Sequence, residues 1–274
     1  MKVAAIQMVS GTQVETNLRT AHQLLRQAAD AGAELAVLPE YFCVVGQRDT
    51  DKLSLQETLG HGPIQDWLAA TAHELGLWLV GGTLPLSCEP RDDRRVRNAC
   101  LVFSPTGQRV AHYDKMHLFR FDDGERRYDE ASVLVAGHRP VHFDLPSRDG
   151  HRWRVGLSIC YDLRFPELYR TYSSAGADLL LVPSAFTYLT GQAHWEILLR
   201  ARAIENLSCV VAPAQGGVHE NGRRTWGHSM IIGAWGKVLA CHQAEGPGLV
   251  VANLDPAKLA IRRQRLAALQ HRRL

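Results

Sequence analysis

The chain has 274 residues, 46% of them hydrophobic and 22% charged, with a formal net charge of +3. That is the balance of a globular protein with one substantial core. It argues against a nucleic-acid binder, because the basic residues are scattered apart from Arg262, Arg263, Arg265, Arg272 and Arg273, and against a membrane protein, because no run approaches the roughly 18 to 20 apolar residues of a spanning helix.

The chain begins with Lys2 to Gln7, a buried-strand pattern with no signal peptide before it, followed by an amphipathic helix over Val14 to Ala31 and a strand over Leu35 to Leu38 that stops at Pro39. Pro63 opens a helix over Ile64 to Leu75, and Trp78 to Gly82 is the next strand. Strands Cys100 to Phe103 and Arg109 to Tyr113 flank the turn signal Ser104-Pro105-Thr106-Gly107. A strand over Arg154 to Ile159 leads to Cys160, and a helix follows from near Pro166. The second half then repeats the first. Ala31-Gly32-Ala33-Glu34-Leu35-Ala36-Val37-Leu38-Pro39 has a partner in Ala175-Gly176-Ala177-Asp178-Leu179-Leu180-Leu181-Val182-Pro183. The helix and strand at 64–75 and 78–82 are echoed at 192–206 and 208–212, and the hairpin around Gly107 at Met230 to Ala240, with Gly236 at the turn.

Each half predicts a mixed sheet with helices on one face and an apolar other face. Two such sheets bury those faces together, so the expected fold is α/β, a four-layer α-β-β-α sandwich with an internal pseudo-two-fold repeat. A single doubly wound sheet is the alternative. No Gly-, Ser- or Pro-rich linker divides the chain, which predicts one domain over residues 1–274. The cysteines at 43, 88, 100, 160, 209 and 241 have no metal-type spacing, and the histidines are dispersed, so neither a metal nor a cofactor is expected. Reduced thiols fit a cytoplasmic protein. Gly81-Gly82 and Gly216-Gly217 read as turn glycines, not phosphate cradles.

Three polar residues fall just past the ends of strands, where open α/β folds carry their chemistry: Glu40, Lys115 and Cys160. Taken singly, each is more simply a core thiol or a solvated loop charge; together they form a nucleophile, a base and a cation. A helix N-terminus and a nearby ammonium would lower the Cys160 thiol pKa, and the Tyr161 N–H would face a developing oxyanion. Burial could raise Glu40 into the range of a base, and Lys115 could hold the oxyanion. A Cys-His hydrolase using His117, His194 or His228 is a competing reading that the Glu and Lys positions make unnecessary.

Leu38-Pro39-Glu40, Tyr113-Asp114-Lys115-Met116-His117-Leu118-Phe119 and Ile159-Cys160-Tyr161-Asp162-Leu163-Arg164-Phe165-Pro166-Glu167 resemble the three signature motifs of the nitrilase superfamily of carbon–nitrogen hydrolases, in the family's order. The resemblance implies the four-layer sandwich and a homodimer or higher homo-oligomer. It also implies Glu40 as general base, Lys115 as oxyanion stabiliser and Cys160 as nucleophile, with ammonia released through a thioester. Glu130, in Tyr128-Asp129-Glu130-Ala131, matches the family's second glutamate, which would hold Lys115 and the substrate amide; a solvated loop acid is the plainer reading, and Glu125 is a nearby alternative.

His194 to Glu205, Gln215-Gly216-Gly217, Gly227-His228-Ser229, and the tail with Gln270-His271-Arg272-Arg273 look like the branch containing deaminated-glutathione amidase and ω-amidase, leaning toward the former. The partner implied is a small amide bearing a carboxylate, for which Arg164 is the candidate, unless it pairs with Asp162 or Glu167. By the repeat, Ser184, Ala185, Phe186 and Thr187 are expected to line the pocket. Trp195 is either nearby or core. The chain departs from the family at Gly233-Ala234-Trp235-Gly236, where Asp-Pro usually precedes the Trp-Gly turn, and little chain follows Arg273. An N-carbamoyl amidohydrolase, a true nitrilase and a non-catalytic binding protein on the same scaffold are the alternatives.

Overall fold

The computed structural model describes residues 1–90, 92, 94–122, 124 and 127–273. Three parallel strands, Lys2–Gln7, Leu35–Val37 and Trp78–Val80, form the centre of a seven-stranded sheet. Gly248–Asn253 pairs antiparallel with the first of them, and Val96–Phe103 with the third, flanked in turn by Leu84–Ser87 and Arg109–Asp114. The central strands lack a polar alternation because both faces are covered. Val3, Ala5, Leu35 and Val37 enter a core shared with the second sheet. Ala4, Ile6, Ala36 and Leu38 instead pack with Leu25 and Leu68, on the helices Val14–Asp30 and Pro63–Leu75.

The six-stranded second sheet repeats this plan. Its parallel centre is Arg152–Leu157, Leu179–Leu181 and Cys209–Ala212, with His142–Pro146 antiparallel on one side and the hairpin Met230–Ile232 and Val238–Cys241 on the other. Trp78 of the first sheet stacks on Phe143 of the second at 6.1 Å, which ties the two inner faces together. The helices Pro166–Ser174 and Tyr188–Asn206 cover the outer face. A side chain at Gly156 would meet the Tyr172 ring at 2.7 Å, so the first of these helices lies close against the strand there. The architecture is therefore the helix–sheet–sheet–helix stack expected from the repeat. The repeat extends to the backbone: the helices before Leu35–Val37 and Leu179–Leu181 both run into a left-handed glycine, Gly32 at φ +81° and Gly176 at φ +82°.

The ends of the elements differ from the sequence pattern in ways that matter for the site. The strand predicted to reach Ile159 stops at Leu157, because Ile159 donates its N–H to the Asp162 carboxylate and Cys160–Arg164 form a 3-10 turn. The helix predicted from residue 192 begins at Tyr188, directly after Thr187. Two hairpins went unread: Arg120–Asp122 with Arg127–Asp129, and Gly216–Val218 with Arg224–Trp226. Both lie outside the two main sheets, and the second is tied to the cavity wall by a bridge from Thr225 to Thr187. Among the described residues no helix is long and apolar enough to cross a membrane.

Candidate active site

Glu40 and Cys160 follow central strands of the two halves and line one small cavity, and Lys115, past the edge strand Arg109–Asp114, meets Glu40 beneath it. Backbone constraints fix each of them. Gly82, at φ +50°, lies beneath Pro39: a Cβ there would sit 2.0 Å from the Pro39 carbonyl oxygen, so only glycine lets the Glu40 loop pass. Tyr41 follows at φ +57°, its N–H donating to Thr83 Oγ1 at 2.8 Å, and the Gln215 side chain donates to the Glu40 carbonyl at 3.0 Å. Cys160 is itself strained at φ +47°, its N–H held by the Pro183 carbonyl at 3.0 Å. The Tyr161 N–H, in the first turn after it, has no backbone acceptor among the described residues.

The charged groups bond to one another. Lys115, with no exposed surface, donates to Glu40 Oε1 at 2.9 Å and to Glu130 at 2.8 Å. Asn98 donates to the same Glu40 oxygen at 2.9 Å, so the other, Oε2, is left without a partner among the described residues. Glu130 also accepts from the Tyr41 hydroxyl at 2.9 Å and from the Phe119 N–H at 2.7 Å, so it is no solvated loop acid. Glu125 lies outside the described residues. Burial opposes the Lys115 charge, but Glu130 and Glu40 overcome that and hold the ammonium above the usual lysine range. Burial opposes the charge of Glu130 too, and Lys115 outweighs it, keeping the carboxyl below the usual carboxylate range.

The thiol is the opposite of what the strand-to-helix setting predicts. Burial comes first, then the Glu40 charge; the two push Cys160 well above the usual cysteine range, and Lys115 and a backbone hydrogen bond from Ala185 only partly offset them. The expectation of a ready-made thiolate fails because desolvation outweighs the ammonium.

The remaining expectations divide. Tyr161, Arg164, Phe186 and Thr187 line the cavity, together with Ala185 and Thr190. Ser184 does not: it forms a parallel bridge with Ala214 and turns its hydroxyl back to the Val182 carbonyl at 3.0 Å, fully buried. Arg164 pairs with neither Asp162 nor Glu167. Asp162 is already saturated, accepting from the Tyr113 hydroxyl, the Ile159 N–H and both the N–H and ring of His117 at 2.7 to 3.0 Å. It thereby joins the segment carrying Lys115 to the turn carrying Cys160. His117, bonded to Asp162 and stacked on Phe165, is not placed as a base. Trp195 packs on Phe186 behind the wall, donating to the His228 carbonyl at 2.9 Å.

Asn98, Asp162 and Arg223 were missed in the sequence. Asn98 had a signal, a polar residue inside the apolar run Val96 to Phe103. Asp162 had one in its place two residues past the nucleophile. Arg223 had none, since it sits beside Arg224 in a stretch with no periodicity.

Comparison with known proteins agrees with this geometry. The family profile described as carbon-nitrogen hydrolase matches residues 2–264. A deaminated glutathione amidase of Synechocystis is 41% identical over 271 residues, covering 98% of this chain and 97% of that protein. The crystal structure of the C. elegans NitFhit protein superposes with a TM-score of 0.88 at 35% identity, over 99% of this chain and 65% of that one. The amidase from Nesterenkonia sp. AN1, of the nitrilase superfamily, superposes with a TM-score of 0.78 at 27% identity over 97% and 98% of the chains, and it has been captured with acrylamide added to its active-site cysteine.

Proposed function

The chain belongs to the carbon–nitrogen hydrolase family, and from that premise we propose that it hydrolyses a small carboxylate-bearing amide of the deaminated-glutathione type, with Cys160 as nucleophile. The observation that carries this reading is the placing of the buried Cys160 thiol and Glu40, one of whose carboxylate oxygens carries no hydrogen bond among the described residues, on the wall of one cavity.

Glu40 Oε2 takes the Cys160 proton as substrate arrives. The thiolate adds to the amide carbon, and the oxyanion that forms is met by the Lys115 ammonium and the Tyr161 N–H. Glu40 returns the proton to the leaving nitrogen, the C–N bond breaks, and a thioester remains. Water then gives its proton to Glu40 and adds to the thioester carbon, a second oxyanion collapses, and the acid leaves as the thiol is reprotonated. A primary amide releases ammonia by this route. Deaminated glutathione, whose scissile nitrogen carries the rest of the peptide, releases an amine. Glu130 holds Lys115 in place through both steps.

Residues 1–274 acting as one domain is part of the same reading, supported by base and nucleophile coming from opposite halves. So are a reducing cytoplasmic setting, supported by six free cysteines, and homo-oligomers, supported by family membership.

The test is product release from deaminated glutathione, α-ketoglutaramate, an N-carbamoyl amino acid and a simple nitrile, with Cys160→Ala alongside. Turnover of an amide that the variant abolishes supports the reading. Release from none of them by folded protein overturns it.

A further inference from the structure

Arginines that serve the fold of this protein are fully engaged. Arg202, on the helix Tyr188–Asn206, donates from Nε and Nη2 to the Leu163 carbonyl at 3.0 and 2.7 Å and pairs with Glu205 at 2.8 Å. Arg223 on the cavity wall is different. Among the described residues its buried Nε has no partner, and its only side-chain hydrogen bond is a long one, 3.5 Å, to the Ala185 carbonyl. The guanidinium lies 5.4 Å over the Tyr128 ring, and no carboxylate among the described residues pairs with it. Glu40 and Glu130 are not its partners, since they take their hydrogen bonds from Lys115, Asn98, Tyr41 and Phe119.

The backbone beneath Arg223 is nonetheless tightly held. Its N–H donates to Asn221 Oδ1 at 2.9 Å, its carbonyl accepts from the His219 N–H at 2.8 Å, and Asn221 donates to the Gly46 carbonyl at 2.7 Å. The turn is fixed while the guanidinium it presents is unfilled. Leaving a buried charged donor unmatched is costly unless a ligand completes it, and a carboxylate matches a guanidinium fork. Arg164, across the same cavity, has only His194 as a hydrogen-bond partner among the described residues, at 3.2 Å, and lies 5.5 Å over the Phe186 ring.

We propose that Arg223 is a specificity-determining residue that binds a substrate carboxylate in concert with Arg164, so that this cavity selects amides bearing two carboxylates. The proposal rests on the amidase reading above and narrows it. Deaminated glutathione, with a carboxylate at each end, has the required form.

The experiment measures kcat/KM for wild type, Arg223→Gln and Arg164→Gln on three substrates: deaminated glutathione, its C-terminal carboxamide, and the analogue with hydrogen in place of the acyl-side carboxylate. Wild type is expected to lose about 10- to 100-fold when either carboxylate is removed, the range of a charge-assisted hydrogen bond. Arg223→Gln is expected to lose as much on the full substrate and then to be insensitive to removal of one particular carboxylate, with Arg164→Gln insensitive to removal of the other. An Arg223→Gln enzyme with both wild-type ratios intact overturns the proposal and leaves the amidase reading standing. Should wild type hydrolyse none of the three, calorimetry of Cys160→Ala protein with succinate, glutarate and adipate decides instead. Binding that Arg223→Gln weakens tenfold or more supports the paired arginines without the amidase reading, and no binding, or binding indifferent to Arg223, overturns them.

Discussion

The floor and the wall of the cavity handle charge in opposite ways. On the floor, the buried Glu40 and Lys115 and the half-buried Glu130 satisfy one another, with Asn98, Tyr41 and the Phe119 N–H filling most of what is left. On the wall, Arg164 and Arg223 lie over aromatic rings and have no carboxylate partner among the described residues. A group that must hold its charge and position through every turnover is locked by neighbours. A group that must trade partners with each substrate is left open. Removing a floor residue should therefore cost fold and chemistry together, whereas removing a wall residue should cost recognition alone.

The largest test of that contrast is Cys160→Ala, which should abolish turnover, by at least about 10⁴-fold in kcat, with little change in melting temperature, because the thiol carries no floor charge. Lys115→Met should fail on both counts. Losing the oxyanion donor removes about 10²- to 10³-fold in kcat. A buried and a half-buried carboxylate left without their cation should lower stability by about 3 to 5 kcal/mol, visible as a melting temperature lower by roughly 6 to 15 °C. Equal melting of Lys115→Met and wild type would erase the distinction between floor and wall.

The pH dependence sharpens it. Glu130 is held below the usual carboxylate range, so its contribution to stability is fully present above the unfolded value of about 4.3 and is lost as pH falls through its lower folded value. Glu130→Gln should thus be less stable than wild type at pH 7, with the gap in denaturant midpoint closing in acid. The raised thiol makes a kinetic prediction: the alkylation rate of Cys160 in the free enzyme should climb continuously with pH and show no plateau up to pH 9. A plateau reached by pH 7 would mean a resting thiolate. The smallest expected effect belongs to the wall, where Arg223→Gln should leave the melting temperature within about 2 °C of wild type.

Within the site, what could be read in the chain followed the local motifs. The Leu38-Pro39-Glu40 strand end, the Lys115 strand end and the Ile159-Cys160-Tyr161 turn each place one residue by local geometry, and the repeat brings the first and third to one end of the stack. Asp162 and Asn98 were legible as residue types out of keeping with their surroundings, but not in their roles, since their partners are 45 to 58 positions away in the chain. Ser184 was misjudged because the repeat gives its backbone place and not its rotamer, which the bridge to Ala214 turns inward.

The sequence by itself determined the layers, the repeat and the order of the three chemical motifs, because hydrophobic period, turn residues and strand ends act over a few residues at a time. The tertiary structure alone decided the upward push on the Cys160 thiol and the open side of the Arg223 guanidinium. Both depend on which distant groups share a water-poor cavity, where desolvation and charge pairing are set by three-dimensional neighbours that no local pattern records.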